Sequence, residues 1–197
     1  MRAATRRCVV LFVVLLLAAG PSSVATTVLR MNLEDLCRSA GQIFRGTVLE
    51  IEEGTLEVGG GVLPTRTFLV RVDERFKGDF ATEKEVPIVE IRTIGKTPPL
   101  RSGGAQWLRT LPEPPALEVR STYLLFVTAP SAAGLQTTVG LGQGCFHITG
   151  DAEREQAVNE LDNVGLVSPT RLADIAPQGP IPYARLAEEV RAIVSGS

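Results

Sequence analysis

Apolar side chains recur at two spacings along this chain, and the switches between them mark its elements. From residue 29 the spacing is helical. Leu29, Leu33, Leu36, Cys37 and Ala40 share one face, Asn32 stands at an N-cap position, and Glu34 and Asp35 put acidic charge in the first turn. This predicts a short helix over 33–40, ended by Gly41. The period then drops to two: Ile43, Arg45, Thr47, Leu49 and Ile51 alternate with Phe44, Gly46, Val48 and Glu50 as a first strand. Gly59, Gly60 and Gly61 make 56–64 a hairpin tip or loop. A second strand covers 65–76, with Phe68, Val70 and Val72 on one face, and Lys77-Gly78-Asp79 turns the chain. A third strand follows over 86–94, where Pro87 belongs at a strand start or a sheet edge.

Between 95 and 115 five prolines and three glycines leave no periodic apolar run, so the segment reads as an irregular excursion. It carries the single tryptophan, Trp107, flanked by Arg101 and Arg109, and loops of this kind present contact residues from a scaffold. These three are the candidate partner contacts. A continuous apolar run over 121–128 reads as a buried strand, and 137–149, punctuated by Gly140, Gly142 and Gly144, as a strand with a bulge or bend. After Gly150 the pattern returns to helix, over 152–162 and again over 182–194, where Leu186, Val190 and Ile193 share a face. Strands in hairpin order without βαβ alternation predict a mainly β, β-rich α+β fold. The expected form is a small antiparallel, OB-like barrel with a short N-terminal helix and C-terminal helices.

The first 25 residues differ in kind from the rest. Arg2, Arg6 and Arg7 precede an uninterrupted apolar run over 8–19; Gly20 and Pro21 break it, and Ser23-Val24-Ala25 offers small residues for a signal peptidase. The run is shorter than the roughly 20 residues that span a bilayer. The expectation is a secretory signal over 1–25 cleaved after Ala25, a mature chain from Thr26, and a secreted or periplasmic product with no membrane span after cleavage. The organisation that follows is a barrel domain over 26–150 and a helical extension over 151–197.

Charge narrows the partners. Without Arg2, Arg6 and Arg7, the 20 basic residues become 17 against 22 acidic ones, a net charge near −5. No basic stripe with interleaved aromatics is present, so nucleic acid is not an expected ligand. Two cysteines remain after position 25, Cys37 and Cys145, and an oxidising compartment predicts a disulfide between them. Such a bridge would close a loop on the order of 100 residues, worth roughly 4 to 5 kcal/mol in the chain-entropy picture. Two buried thiols are the alternative.

Candidate chemistry is sparse. His147 is the only histidine and has no second histidine or cysteine at metal-ligand spacing, so no metal site or cofactor is expected. Cys145 and His147 lie two apart on one strand, a superficial thiol–base pair that strand neighbours seldom bring to reacting geometry. Residues 140–144, GLGQG, lack the lysine and following helix of a phosphate loop. No catalytic residue is assigned and no enzyme is expected.

Four segments, AGQIFRGTVLEIEE over 40–53, TFLVRVDERFKGD over 67–79, YLLFV over 123–127 and VGLGQGCF over 139–146, resemble in order a set of uncharacterised secreted bacterial proteins. That layout is similar in outline to netrin-like domains and tissue inhibitors of metalloproteinases. The resemblance implies an OB-like barrel stapled by disulfides, and protease inhibition or a protease-accessory role as one possible activity. The chain departs from the inhibitors at its expected start, Thr26, where they carry a zinc-binding cysteine; its first mature cysteine is Cys37. The leading functional expectation is a non-catalytic module that binds a protein partner in the extracytoplasmic space.

Overall fold

The computed structural model describes residues 29–80, 86–95, 114–166 and 178–196. The expected signal segment lies outside them, as do Arg101, Trp107 and Arg109. Helix α1 (Leu33–Ser39) leads into β1 (Gln42–Val58), β2 (Gly61–Lys77), β3 (Ile88–Ile94) and β4 (Thr122–Val127). A 3-10 turn at Leu141–Gly144 precedes β5 (Cys145–Thr149), β6 (Gln156–Asn159), β7 (Ile181–Pro182) and helix α2 (Tyr183–Ser195).

The strands form one antiparallel sheet in the order β3-β2-β1-β4-β5-β6-β7, with β3 and β7 at its edges. The fold is mainly β with two helices, and strand pairing leaves the sheet open rather than closed as a barrel. Its first four strands nevertheless curl. Thr137 accepts from Thr128 just past β4, and the adjacent Gln136 N–H donates 2.8 Å to the Arg92 carbonyl of β3. Three register irregularities in the β1–β2 ladder supply the local bends that such a curl needs.

The two faces of the sheet carry two cores. On one, α1 (Leu33, Leu36, Cys37) and α2 (Leu186, Ala187, Val190) cover Ile43, Leu124, Phe126, Phe146, Ile148 and Ala157. On the other, Phe44, Val48, Phe68, Val70, Ile91, Tyr123, Leu125, Val127 and Cys145 pack together. The alternation of β4 explains the division: Leu124 and Phe126 point one way, Tyr123, Leu125 and Val127 the other, and all five are buried.

Helix α1 forms as its sequence directs. Asn32 Oδ1 accepts a 2.8 Å hydrogen bond from the Asp35 N–H, and the buried stripe is Leu33, Leu36 and Cys37. Leu29, placed on the same face by spacing, is 82% exposed because it precedes the helix. Of the two readings of 56–64 the hairpin tip holds and the loop does not: β1 and β2 stay paired to Val58↔Gly61. Only Gly59 and Gly60 turn, at φ +61° and +78°, the pair of positive angles that a tight hairpin demands. The segment 152–162 is not a helix. Gln156–Asn159 pairs with β5, and Asp162 and Asn163 adopt positive φ. The Asn163 side chain, 2% exposed, donates to the carbonyls of Ala157 and Gly179. Strands β6 and β7 therefore extend the same sheet, and α2 packs against it.

Candidate interaction surface

Charged side chains concentrate where β1 and β2 meet α2. Arg45 and Glu74 are cross-strand partners. The Arg45 guanidinium donates two bonds, 2.6 and 2.7 Å, to the Glu155 carboxylate just before β6, and lies 4.7 Å over the ring of Tyr183. The Tyr183 hydroxyl donates 2.5 Å to Glu74 Oε2, and Glu74 also accepts from Arg191 of α2. Charge thus alternates across the junction. Hydrogen bonding to Glu155 holds the Arg45 pKa above its ordinary value. Burial first, and the bond to Glu74 second, raise that of Tyr183. Both shifts make these groups poorer proton donors, so the network holds a helix on a sheet rather than moving protons.

The strip continues toward the β3 side. Thr47 Oγ1 donates 2.7 Å to Asp73 Oδ2 and lies 3.1 Å from Thr122 Oγ1. Arg71 Nε donates 2.8 Å to Asp73 Oδ1. Arg71, Asp73, Glu74 and Arg75, with Val86 and Pro87, border a shallow open hollow where β3 stops and β2 runs on.

Beyond that body the hairpin projects. Pairing with β3 covers β2 only over 65–71, and β4 covers β1 only over 42–47. Residues 54–64 are therefore a two-stranded ribbon. Val58 and Val62 at its tip are 47% and 66% exposed.

The two cysteines do not meet. Cys37 packs under α1 on the helix-covered face, and Cys145 belongs to the opposite core. Both are free, buried thiols, because the sheet lies between them and a disulfide needs Cα atoms about 4.4 to 6.8 Å apart. Burial pushes the Cys37 thiol up to about 12 and raises that of Cys145 as well. His147 does share the Cys145 face, but its ring stacks on that of Tyr123, centroids 5.1 Å apart. A thiol held protonated beside a stacked imidazole is the reverse of an activated nucleophile. Among the described residues no three His, Cys, Asp or Glu side chains gather as a metal site, and no helix is long and apolar enough to cross a membrane.

The GLGQG segment is structural. Gln143 accepts from the Met31 N–H at 2.8 Å and donates to the Leu29 carbonyl at 3.0 Å, tying the N-terminal segment to the sheet. The sequence marks a hairpin tip at 56–64 but neither the paired length of the ribbon nor the Arg45 network. The run of glutamates after Arg45 is the one signal that marked the ribbon as solvent-facing. Comparison with known proteins finds no matching family model, no matching curated protein and no matching solved structure.

Proposed function

We propose that this chain is a secreted or periplasmic, non-catalytic interaction module that binds a protein partner in the extracytoplasmic space through its projecting β1–β2 ribbon. One observation carries the reading: Val58 and Val62, apolar and exposed at 47% and 66%, stand at the end of a ribbon that contributes little to either core. Apolar side chains held out on a regular scaffold supply contact area to a second protein. The paired charges behind the ribbon fix its base. The curl of the first four strands is compatible with a partly open, OB-like barrel.

The test is affinity capture from the extracytoplasmic fraction of the source organism, with the folded chain and its Val58→Ser, Val62→Ser variant as baits. A partner held by the first and lost by the second supports the reading. Recovery of a protease, followed by inhibition of its activity, would identify the module as a protease inhibitor or accessory. Equal recovery by both baits would refute the ribbon as the contact.

A further inference from the structure

We infer that the outer edge of β1 over residues 49–58 is a strand-addition site for an extended, lysine- or arginine-bearing segment of a partner protein. The inference rests on the interaction-module reading and narrows it to one edge and one partner chemistry.

The edge is open on one side along its length. Strand β4 leaves β1 at Thr47, and the last ties are Val48 N–H to the Ser121 carbonyl, 3.1 Å, and Arg120 N–H to the Val48 carbonyl, 2.8 Å. From Leu49 to the turn, β2 occupies the inner side of β1. Among the described residues nothing pairs with the outer side. Alternate residues of an edge strand aim their N–H and C=O groups outward, so ten residues offer about 33 Å of unfilled ladder.

Natural edges are guarded by charge, above all lysine, by proline, by bulges or by brevity. This one is long, its register irregularity lies only at its start, and its charge is wholly acidic, which repels like edges and leaves a basic strand free to add. Between Arg45 and Arg66 the chain has four glutamates and no lysine or arginine, and 49–58 contains no proline. Glu53 pairs with Arg66, while Glu50, Glu52 and Glu57 have no cation partner among the described residues. Glu50 and Glu52 lie opposite Leu69 and Thr67 on one face of the ribbon, and the residues between and beside them, Ile51 and Leu56, are half-buried.

Charge selects the occupant. A second copy of this chain adding edge to edge about a two-fold axis would set glutamates against glutamates, and like charges on facing strands repel. A strand with basic residues at alternate positions would face Glu50 and Glu52 and complete the ladder through its main chain.

Anisotropy of a labelled decapeptide alternating lysine and threonine, read alongside amide exchange of the folded chain, decides the matter. Binding should weaken at least tenfold when glutamate replaces lysine in the peptide. It should weaken as much when every peptide amide is N-methylated, which keeps the charge and removes the donors. Exchange should slow only over 49–58, and the Glu50→Lys, Glu52→Lys variant should prefer the glutamate peptide. Equal binding of the methylated peptide would overturn the inference, as would slow exchange, in the free chain, of those 49–58 amides that face away from β2. A natural partner captured equally by the wild-type and the charge-reversed chain would overturn the edge and leave the interaction-module reading standing.

Discussion

Arg45 and Glu155, 110 residues apart in sequence, meet through two parallel hydrogen bonds of 2.6 and 2.7 Å. The pair is more than three-quarters shielded, with side chains 23% and 19% exposed. It ties β1, a strand of the first hairpin, to the start of β6. Arg45 Nε has no partner of its own, so the guanidinium depends on the carboxylate. Glu155→Ala leaves a largely buried cation uncompensated and should cost about 2 kcal/mol, lowering the melting temperature by roughly 4 to 8 °C. Adding Arg45→Met should recover part of that loss. Calorimetry of the two single variants and the double variant measures the coupling, and strict additivity would show that the pair is not coupled.

The free thiols give a second prediction. Cys37 and Cys145 occupy cores on opposite faces, so reductant should leave the melting temperature unchanged. Alkylation should label neither in the folded chain and both after denaturation without reductant. Mass spectrometry of the two samples reads the result, and a denatured chain that resists labelling until reduced would establish a bridge.

A third prediction concerns alkaline pH. Burial raises the Cys37 thiol from its ordinary 9.0 to about 12, and it raises Cys145 and Tyr183 in the same direction. Above pH 9 the unfolded chain loses protons that the folded chain keeps, so stability is full below that pH and falls as pH rises toward 12. The limit is about 1.4 kcal/mol per pH unit for each such proton. Urea midpoints at pH 8, 9 and 10 should decline progressively, and Cys37→Ala should flatten the decline. Identical slopes with and without Cys37 would remove it as a contributor.

The strands were legible where one face is buried. Phe44, Gly46 and Val48 alternate with Arg45 and Thr47, and the structure gives them opposite faces. Both well-formed helices were legible from capping and 3.6-residue spacing, as with Asn32 and with Leu186 and Val190. The hairpin tip at 56–64 was legible only as one of two readings, and the paired length of the ribbon was not, because its far end packs on nothing and three glycines suit a loop as well as a turn made by two of them. The helical spacing expected over 152–162 misleads because the four residues of β6 are too few to show a period, and the buried Asn159–Asn163 bonds that shape its exit span four residues, the same separation as a helical turn. The expected disulfide failed for a related reason: which face Cys145 takes depends on its register opposite Leu125, and register is set by the assembled sheet. The Arg45 network joins four separate elements and left no local trace.

Gly60 provides a test of the hairpin alone. Its φ of +78° costs an L-residue about 1 to 2 kcal/mol, and no atom lies within 4 Å of an added Cβ, so the penalty is purely conformational. Gly60→Val should speed amide exchange across residues 54–64 while shifting the global melting temperature little, because that ribbon adds almost nothing to the cores. Unchanged exchange would show that the ribbon does not depend on this turn.

Gly46 makes the opposite case, a glycine required by packing rather than by φ. It lies in the middle of β1 at a register shift, and a Cβ there would stand 2.6 Å from both the Arg71 carbonyl oxygen and Val70 Cγ1. Neither can yield cheaply: the first is backbone of the paired strand, and the second belongs to a side chain with no exposure. Overpacking of this kind costs typically 1 to 3 kcal/mol, and Gly46→Ala should fall at or above the top of that range because the backbone must shift as well. The strain also sits where β1 and β2 bend to enclose Phe44 and Val70, so the variant should loosen the second core before the helix-covered one. Residue-resolved amide exchange separates the two. Faster exchange over 68–72 with α2 still protected is the expected pattern, whereas loss of protection in both cores together would show that the two faces of the sheet unfold as one unit.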